Sequence, residues 1–517
     1  VDQPDARKVH GQAMPRMGGL AFLLSLLVLP VSMMPLSSEM QGFLLGLAVI
    51  AATGMADDLW EISPRWKFLG LFVGSLIFVL VSDVGIKQLG DLFALGNIEL
   101  GILAVPVTVV ATVGFINALN LSDGLDGLAA GIALIAVFFL GCFALHAHDH
   151  LCLLLSVVLF GSMIGFLYYN SHPARVFMGD TGSLLLGYVL AAISLLLIKS
   201  HGGANTPITP VLMGTLLGLP LADTLYVMGR RVLNGTSPFQ PDKTHFHHRL
   251  MQLGLTHNGV VGTMYGMMMF YGVAALVLIQ TPAWVQCAAL AGLIALTYGL
   301  LHCLERAGIC LELPDTADET LARSSRNAFF LQMTRISGRS IPYVTWFIPA
   351  TLLFPVAFMG VHGPALILAG AVILLAVVLY PWKQVRDAAW SNGIHYLLVF
   401  VPILCVDLFA GQWLKDYMLW VGGLLAFWVV LKLYFRRYGR IFLSTGLEIL
   451  LLMLSWVMPW LVLRLGLITE AMQASLYVAS FQAVVYLLAT KIVLRHQPRR
   501  NRILLLSLLT VNILLFV

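Results

Sequence analysis

Charged side chains are scarce in this chain of 517 residues. Only 11% of the residues are charged, whereas 59% are hydrophobic, and the mean hydropathy is +0.90. Soluble proteins carry a charge on roughly a quarter of their residues. The scarcity of charge therefore excludes an ordinary soluble globular protein, and the long apolar runs indicate a chain that crosses a membrane many times.

Paired cysteines are also missing. The six cysteines form no Cys-x-x-Cys motif, and most of them lie inside apolar runs. This argues against a structural zinc site, a redox motif or a disulfide framework, and it is typical of cysteines that serve as small packing residues. The sequence likewise shows no convincing internal repeat and no low-complexity tract.

Apolar stretches long enough to span a bilayer occur throughout the chain. A helix needs about 20 apolar residues to cross the hydrocarbon core. We therefore predict an all-α polytopic membrane protein with about 17 transmembrane helices. The predicted spans are 17–36, 40–56, 67–83, 101–119, 127–147, 151–169, 183–199, 206–228, 258–280, 283–303, 343–361, 363–381, 393–409, 412–431, 441–464, 472–490 and 503–517.

The basic residues indicate how these spans are oriented. If residues 1–16 are cytoplasmic and the spans alternate, all but four of the 30 Lys and Arg residues fall on the cytoplasmic face. The four exceptions are Lys87, Lys199, Lys415 and Arg464. Such a bias is the positive-inside signal of membrane proteins. The segment 84–100 then lies on the outer face, where its alternating pattern and glycines predict a short hairpin.

Polar stretches interrupt the apolar pattern on the predicted cytoplasmic face. Charges beside lipid-embedded segments are expensive and commonly functional. Comparable clusters of Asp, Asn and His do not occur in the outer loops of the first half. The cytoplasmic stretches are RKVHGQAMPRMGG (7–19), ADDLWEISPRWK (56–67), NALNLSDGLDG (117–127), NSHPARVFMGDTGS (170–183) and SPFQPDKTHFHH (237–248).

Aspartates are the first chemical feature of these stretches. The adjacent pair Asp57 and Asp58 either flanks a cation or belongs to a solvated loop in which one Asp caps a helix. Asp123 and Asp126 are three residues apart and so share one side of a helix start, while Asp180 lies between two glycines. Hard oxygen ligands of this kind suit Mg²⁺, with Mn²⁺ as the alternative, rather than Zn²⁺.

Basic side chains on the same face provide the counterpart for phosphate. Magnesium together with cationic groups is the general layout of phosphoryl transfer. The sequence HFHH has two other interpretations, a transition-metal site or plain surface histidines, and Asp223 is equally well explained as a buried polar group bonded to a neighbouring helix. The candidate phosphate-binding residues are Arg7, Lys8, His10, Lys67, Arg175, His245, His247 and His248.

Taken in order, the five stretches resemble the polyprenyl-phosphate N-acetylhexosamine-1-phosphate transferases, a membrane superfamily with WecA-type and MraY-type branches. The resemblance covers residues 1 to about 303. Each stretch alone is a weak signal, but five in order on one face are specific. The His-x-His-His pattern in an SPF-x-PD context favours the WecA-type branch, because MraY-type members usually have three consecutive histidines.

The resemblance implies a reaction at the cytoplasmic face of the bacterial inner membrane. A UDP-N-acetylhexosamine, most simply UDP-GlcNAc, gives its sugar-1-phosphate to a polyprenyl phosphate such as undecaprenyl phosphate, and UMP is released. This is the first membrane step of cell-surface polysaccharide synthesis. The implied partners are these two substrates and the lipid bilayer, with a homodimer as a further expectation and no nucleic acid.

The resemblance also implies roles for individual residues. Asp180 is expected to be the principal Mg²⁺ ligand, and Asp57 and Asp58 are expected to bind the metal or to activate the lipid phosphate. Asp123, Asp126 and Asn120 are expected on the nucleotide side, and Asn170 and Phe177 are expected to hold the uridine. The contacts to phosphate and substrate are expected from Arg7, Lys8, Lys67, His245, His247 and His248.

Two departures from the family pattern affect the domain organisation. Members usually have one more helix before the DxPxxRKxH stretch, with which this chain starts, so we expect that a first helix is missing. Members also commonly end soon after the histidine loop. We therefore predict a transferase domain in 1–303, a cytoplasmic linker in 304–342 and an additional transmembrane bundle of unassigned role in 343–517.

Three alternative functions agree less well with the sequence. A MraY-type enzyme would transfer phospho-MurNAc-pentapeptide, which the HFHH pattern argues against. A cation-coupled secondary transporter would place ionisable groups near the middle of its spans, whereas here they lie at the cytoplasmic ends. A non-catalytic scaffold would have no reason to keep the acidic set intact.

Overall fold

A computed structural model describes most of the first 307 residues and parts of the remainder. The described residues are 15–16, 18–94, 96–201, 208–235, 237, 244–307, 340–358, 398–399, 401–406, 412–436, 477–486 and 488–490, with single residues or pairs at 450, 453, 457, 463, 507–508 and 511. The chain forms two compact units. The first comprises Val1–Leu313 with Thr445–Leu450, and the second comprises Pro314–Ser444 with Leu451–Val517.

The first unit is a helical bundle whose long helices follow the predicted apolar stretches. Seven of them precede residue 202, and each begins and ends within a few residues of the corresponding predicted span. Their bounds are α1 (Gly18–Met33), α2 (Ser38–Trp60), α3 (Pro64–Val81), α4 (Ala104–Leu121), α5 (Leu128–His146), α6 (His150–Asn170) and α7 (Gly179–His201).

The helix α7 lies at the centre of this bundle. All of its residues from Thr181 to Ile198 are buried, and α7 packs against α2, α4, α1 and α5. Small residues allow the backbones of these helices to approach closely, as is common between membrane helices. A Cβ atom on Gly54 of α2 would lie 2.5 Å from the Cα of Thr181. The N-terminal end of α7 is therefore fixed tightly against α2.

The next predicted span, 206–228, differs from the structure. It is not one straight helix but two, α8 (Pro210–Leu216) and α9 (Gly218–Leu233), which meet at an angle of 84°. Hydropathy records the apolar content of the segment but not the break at Leu217. The unit is completed by α10 (Phe246–Gln252), α11 (His257–Val277) and α12 (Ala283–Arg306).

The hairpin predicted within 84–100 is confirmed. Strands β1 (Gln88–Gly90) and β2 (Ile98–Glu99) pair antiparallel between α3 and α4. Gly90 has a positive φ of 85° at the end of β1, a conformation that glycine adopts without strain. The hairpin lies at the end of the bundle opposite to the polar stretches, as the alternation of spans requires.

The described residues include eight helices that are long and apolar enough to cross a membrane. The bent pair α8–α9 would make a ninth if it counts as one span. This agrees with an all-α polytopic membrane protein. The predicted span 363–381 lies wholly outside the described residues, as do about half of 393–409, most of 441–464 and 503–517, and part of 472–490.

The second unit contains two long described helices, α13 (Ile341–Phe358) and α14 (Gln412–Arg436). They belong to the predicted spans 343–361 and 412–431. Their buried residues share an apolar core with residues from 398–406, 477–490 and 508–511. Within this core, the Tyr486 hydroxyl donates a hydrogen bond of 3.0 Å to Thr351 Oγ1.

Candidate active site

Four helix ends meet at the face that carries the polar stretches. Asp57 and Asp58 lie in the last turn of α2, Lys67 lies in the first turn of α3, Asn120 lies at the end of α4, and Asp180 lies in the first turn of α7. Pro64 begins α3, where its fixed φ suits the first helical position. The short turn between α2 and α3 therefore brings Lys67 back to the aspartates.

Lys67 bridges two of the predicted carboxylates. Its Nζ lies 2.8 Å from Asp57 Oδ2 and 2.5 Å from Asp180 Oδ1. The side chains are largely shielded from solvent, with exposed fractions of 18% for Lys67 and 12% for Asp57. Two carboxylates that both lie this close to one ammonium group would repel each other if the cation were absent. The ammonium group offsets that repulsion in the structure.

Asn120 contacts the same carboxylate from the other side. Its Nδ2 donates to Asp180 Oδ1 at 2.9 Å and to Ser183 Oγ at 2.7 Å. The Ser183 hydroxyl lies one turn further along α7. The structure thus brings together Asp57, Lys67, Asn120 and Asp180 as the sequence predicts, and it places Asn120 as a donor to Asp180.

Asp58 points toward the start of α7 and accepts three hydrogen bonds. Its Oδ1 accepts from the backbone N–H of Asp180 at 2.9 Å. Its Oδ2 accepts from the backbone N–H of Thr181 at 2.9 Å and from the Thr181 hydroxyl at 2.6 Å. The metal role predicted for Asp58 stays a prediction, but both of its oxygens already have protein donors.

Asp123 lies in the loop between α4 and α5 and opens onto the same face. The Asp123 side chain is exposed at this face, while the protein around it partly shields the carboxyl group from water. Loss of hydration, together with the negative charges of Asp180 and Asp126, raises the pKa of Asp123 to about 7, and the Arg16 guanidinium opposes this shift. The carboxyl group is therefore poised between its neutral and charged forms near physiological pH.

Asp126, in the same loop, contacts two histidines. Its Oδ2 lies 2.8 Å from His172 Nδ1 and accepts from the Ala174 N–H at 3.1 Å. His257 Nε2 lies 3.2 Å from the Asp126 carbonyl oxygen. The two imidazole rings stack at 4.1 Å between centroids. Asp126 therefore joins the loop to the segment after α6 and to the start of α11.

The sequence did not single out His172 or His257. His172 lies within a quoted stretch but has no motif of its own, and His257 follows an unremarkable turn. Together with Asp126 they present possible metal-ligand atoms within 4.8 Å of one another. Two imidazoles and one carboxylate would suit a transition metal better than Mg²⁺. Only the fold brings these three residues together.

Asn170 and Phe177, the predicted uridine contacts, belong to the segment that leads into α7. Asn170 is buried. Its Oδ1 accepts from the Gly127 N–H at 3.0 Å, and its Nδ2 donates to the Val176 carbonyl at 2.9 Å. The Phe177 N–H donates to the Pro15 carbonyl at 3.0 Å. Asn170 thus holds two loops together, and Phe177 lies beside the N-terminal stretch.

The histidines of HFHH lie at and just inside the start of α10. His245 Nδ1 lies 2.9 Å from Asp223 Oδ2, and Asp223 Oδ1 accepts from the Phe246 N–H at 2.9 Å and from the Tyr298 hydroxyl at 3.2 Å. Asp223 is thus a buried polar group bonded to neighbouring elements, one of its two predicted roles. His245 is also buried, so it anchors α10.

His247 packs against the loop that carries Asp123. A Cβ atom on Gly124 would lie 2.4 Å from His247 Nε2, so glycine is required there for this contact. Burial and the neighbouring His248 lower the pKa of His247 to about 4, partly opposed by Asp223. His247 is therefore neutral at pH 7. The His247 and His248 rings lie 4.2 Å apart between centroids.

A bidentate ion pair connects α10 to α12. Arg249 Nε and Nη2 donate to the two carboxylate oxygens of Glu305 at 2.8 and 2.7 Å. The Arg249 guanidinium also lies 5.3 Å from the centre of the Tyr226 ring. This geometry gives Arg249 a structural role. The predicted Arg7, Lys8 and His10 lie outside the described residues.

Residues 40–198 match the family model described as glycosyl transferase family 4. The chain is 39% identical over 287 residues to a probable undecaprenyl-phosphate N-acetylglucosaminyl 1-phosphate transferase of Bacillus subtilis, a match that covers 55% of this chain and 79% of the relative. The chain belongs to glycosyl transferase family 4. The resemblance inferred from the five polar stretches is thereby confirmed.

Two further relatives agree with this assignment. A decaprenyl-phosphate N-acetylglucosaminephosphotransferase of Mycolicibacterium smegmatis is 34% identical over 348 residues, which cover 62% of this chain and 84% of the relative. An undecaprenyl-phosphate alpha-N-acetylglucosaminyl 1-phosphate transferase of Yersinia pestis is 29% identical over 338 residues, which cover 63% of this chain and 90% of the relative. More than a third of this family member therefore lies outside each of these matches.

Proposed function

We propose that this protein transfers N-acetylglucosamine-1-phosphate from UDP-N-acetylglucosamine to a polyprenyl phosphate. The names of the relatives from Bacillus, Mycolicibacterium and Yersinia support the sugar and the lipid acceptor. The observation that carries the proposal for this chain is the cluster of Asp57, Lys67, Asn120 and Asp180 at the ends of four membrane helices. Neither the muramyl-peptide reaction nor a transporter is favoured by the relatives.

The location of the cluster suits the two proposed substrates. The sugar nucleotide is soluble, whereas the phosphate of the lipid lies at the membrane surface. A site at the ends of spanning helices meets both, and polar groups at this depth are tolerated where they line a cavity. The positive-inside bias of the sequence supports a cytoplasmic site in the inner membrane, since nearly all basic residues share this face.

Magnesium is the cofactor that we propose for this site, with Mn²⁺ as the alternative. Asp57 and Asp180 each present a carboxylate oxygen to the Lys67 ammonium, so the protein already gathers hard oxygen donors around a positive charge. Mg²⁺ is commonly held by one or two carboxylates together with substrate phosphates. These donors fit the ion, which when bound would neutralise charge on the diphosphate.

In the proposed reaction a phosphate oxygen of the lipid attacks the phosphorus that bears the sugar. A new P–O bond forms to the lipid phosphate, and the bond to the bridging oxygen of UMP breaks. Polyprenyl phosphate is largely ionised at neutral pH, since the second pKa of a phosphate monoester is about 6. Strong base catalysis is therefore unnecessary, and the chain acts mainly by positioning groups and balancing charge.

Individual residues have defined parts in this proposal. Lys67 and Asn120 orient the Asp180 carboxylate, and Lys67 supplies positive charge beside the reacting phosphates. Asp57 accepts a proton from any monoprotonated lipid phosphate or holds the cation. Asp123 and Asp126 lie on the nucleotide side. His247 and His248 contribute N–H donors to phosphate oxygens, and His247 does so as a neutral imidazole, because its pKa is about 4.

The proposal is tested with purified protein, undecaprenyl phosphate, Mg²⁺ and a panel of UDP-sugars that includes UDP-GlcNAc, UDP-GalNAc and UDP-MurNAc-pentapeptide. We expect release of UMP that requires both the lipid phosphate and the divalent cation, with UDP-GlcNAc as the best donor. A preference for UDP-MurNAc-pentapeptide would replace the proposed reaction with the MraY-type one. Absence of UMP with every donor would contradict the enzymatic assignment.

A further inference from the structure

Asp58 occupies a position that its neighbour Asp57 does not. Asp57 faces the Lys67 ammonium, whereas the Asp58 carboxylate lies at the N-terminal end of α7. There it accepts from the backbone N–H groups of Asp180 and Thr181, each at 2.9 Å, and from the Thr181 hydroxyl at 2.6 Å. The adjacent residues Asp57 and Asp58 thus have different surroundings.

The first N–H groups of a helix have no partner within the helix and are usually capped by a side chain just before it. At α7 the acceptor comes instead from a different helix, α2, 122 residues away in sequence. A carboxylate is favoured at this place, because the helix dipole carries partial positive charge at its N-terminus. Asp58 therefore acts as a cap supplied from another helix.

The backbone around Asp58 is shaped for this contact. Gly179 has a φ of 72°, and a Cβ atom there would lie 2.8 Å from Asp58 Oδ2. Gly54, one turn before Asp58 on α2, lets the helix backbones approach so closely that a Cβ would lie 2.5 Å from Thr181 Cα. Two glycines thus bring the carboxylate within reach of the N–H groups of α7.

We propose that Asp58 is a positioning residue that fixes the Asp180 carboxylate by capping α7, and that it is not a ligand of the metal. This inference rests on the proposed function, since Asp180 is taken there as the principal Mg²⁺ ligand. Loss of the cap lets the first turn of α7 shift, which moves Asp180 away from Lys67 and Asn120. Small displacements of a reacting group are costly in rate.

The experiment is a double-mutant cycle between Asp58→Asn and Thr181→Val in the full-length protein. The asparagine keeps the shape of the side chain but turns an N–H donor toward the donors of Thr181. The valine removes only the hydroxyl. Hydrogen bonds to charged groups are strong enough that we expect kcat to fall about tenfold in Thr181→Val and about 100-fold in Asp58→Asn. Thr181→Ser, which keeps the hydroxyl, should recover most of the Thr181→Val loss.

The decisive result is how the two changes combine. If Asp58 acts through Thr181 and the start of α7, the double variant should be no slower than Asp58→Asn alone. The Mg²⁺ concentration that gives half the maximal rate should also change less in Asp58→Asn than in Asp57→Asn. The inference would be overturned if the double variant lost kcat by the product of the two single losses. It would also be overturned if Thr181→Val kept the wild-type kcat while Asp58→Asn required much more Mg²⁺.

Two controls separate this inference from the proposed function. Asp149→Asn alters a helix cap on the opposite face, where Asp149 Oδ1 accepts from the Cys152 N–H at 2.9 Å, and it should leave kcat unchanged. Hydrogen exchange in metal-free protein needs no turnover at all. Asp58→Asn should lower the protection of the Asp180 and Thr181 amides by at least about tenfold. Unchanged protection there would contradict the cap, even if the wild-type protein showed no transferase activity.

Discussion

At the scale of single residues, one ammonium group organises the site. Lys67 contacts the carboxylates of Asp57 and Asp180, and its own exposure is small. Removing one member of a shielded ion pair commonly costs about 3–5 kcal/mol, because an uncompensated charge remains. Here the loss of Lys67 would leave two facing carboxylates. A lysine at this position thus gathers the negative groups that later face the substrate phosphates.

The residue roles divide into those that sequence patterns predicted and those that required the fold. Asp57, Lys67, Asn120 and Asp180 come together as their motifs predicted. The patterns could not separate Asp57 from Asp58, since adjacent residues share every sequence signal and differ only in where their side chains point. His172 and His257 were missed for a similar reason, because only the packing of α6 and α11 brings them to Asp126.

The raised pKa of Asp123 makes a residue-scale prediction about stability. A carboxyl whose pKa is higher in the folded state, about 7, than in the unfolded state favours folding while it is protonated. This contribution is complete below the unfolded pKa of about 4 and is lost as the pH rises toward 7. We expect Asp123→Asn to lose less thermal stability between pH 5 and pH 8 than the wild type does.

The measurement is thermal unfolding in detergent without divalent cations, since a bound cation would itself lower the pKa of a nearby carboxyl group. Asp83→Asn is the matched control. Asp83 is highly exposed on the opposite face, with an exposed side-chain fraction of 83%, and asparagine tolerates its positive φ. If Asp123→Asn and Asp83→Asn show the same pH dependence as the wild type, the raised pKa is wrong.

At the scale of the elements, the apolar pattern predicted helices well and their bends poorly. The bounds of α2 to α7 follow the hydropathy, and the hairpin between α3 and α4 follows the alternation of polar and apolar residues. The segment 206–228 instead bends by 84° between α8 and α9. Hydropathy measures whether a segment prefers lipid, whereas a bend depends on what the segment packs against. Here α8 packs on α11 and α12, and α9 packs mainly on α4.

The close contact of α2 with α7 leads to a prediction at the same scale. In Gly54→Ala the new methyl group would meet the backbone of Thr181 at 2.5 Å, and backbone yields less readily than a side chain. We expect α7 to be displaced and the protein to be destabilised by about 1–3 kcal/mol, as is usual for overpacked sites. Transferase activity should fall even where the variant remains folded, because Asp180 moves with α7.

The comparison is made by thermal unfolding and by UMP release per folded molecule. Gly161→Ala in α6 is the control, because a Cβ atom there meets nothing within 4 Å and alanine favours helix more than glycine. Gly161→Ala should therefore retain activity and stability. Equal behaviour of the two variants would mean that the packing of α2 on α7 does not depend on Gly54.

At the scale of the whole molecule, the chemistry is concentrated in the first unit. The candidate active-site residues that the structure describes lie between Asp57 and His257, and the Arg249–Glu305 ion pair belongs to the same unit. The Bacillus relative is shorter than this chain, since a match of 287 residues covers 79% of the relative but 55% of this chain. The predicted spans of the second unit indicate helices but no role, because they carry few charged residues.

Deletion of residues 307–517 tests whether the first unit is sufficient for the chemistry. Helices α1 to α12 and the ion pair from Arg249 to Glu305 are retained in the shortened chain. We expect UMP release to persist within about tenfold of the full-length rate. Size-exclusion chromatography shows whether the shortened chain is monodisperse. A shortened chain that is monodisperse but inactive would show that catalysis requires residues within 307–517.

The most direct test of the central claim follows the phosphate itself. UDP-GlcNAc labelled at the phosphate that bears the sugar is incubated with the protein, undecaprenyl phosphate and Mg²⁺, and the lipid phase is extracted. The account predicts that the label enters the lipid in equal amount to the UMP formed, and that Asp180→Asn abolishes both. Release of UMP without labelled lipid, or near-normal transfer by Asp180→Asn, would contradict it.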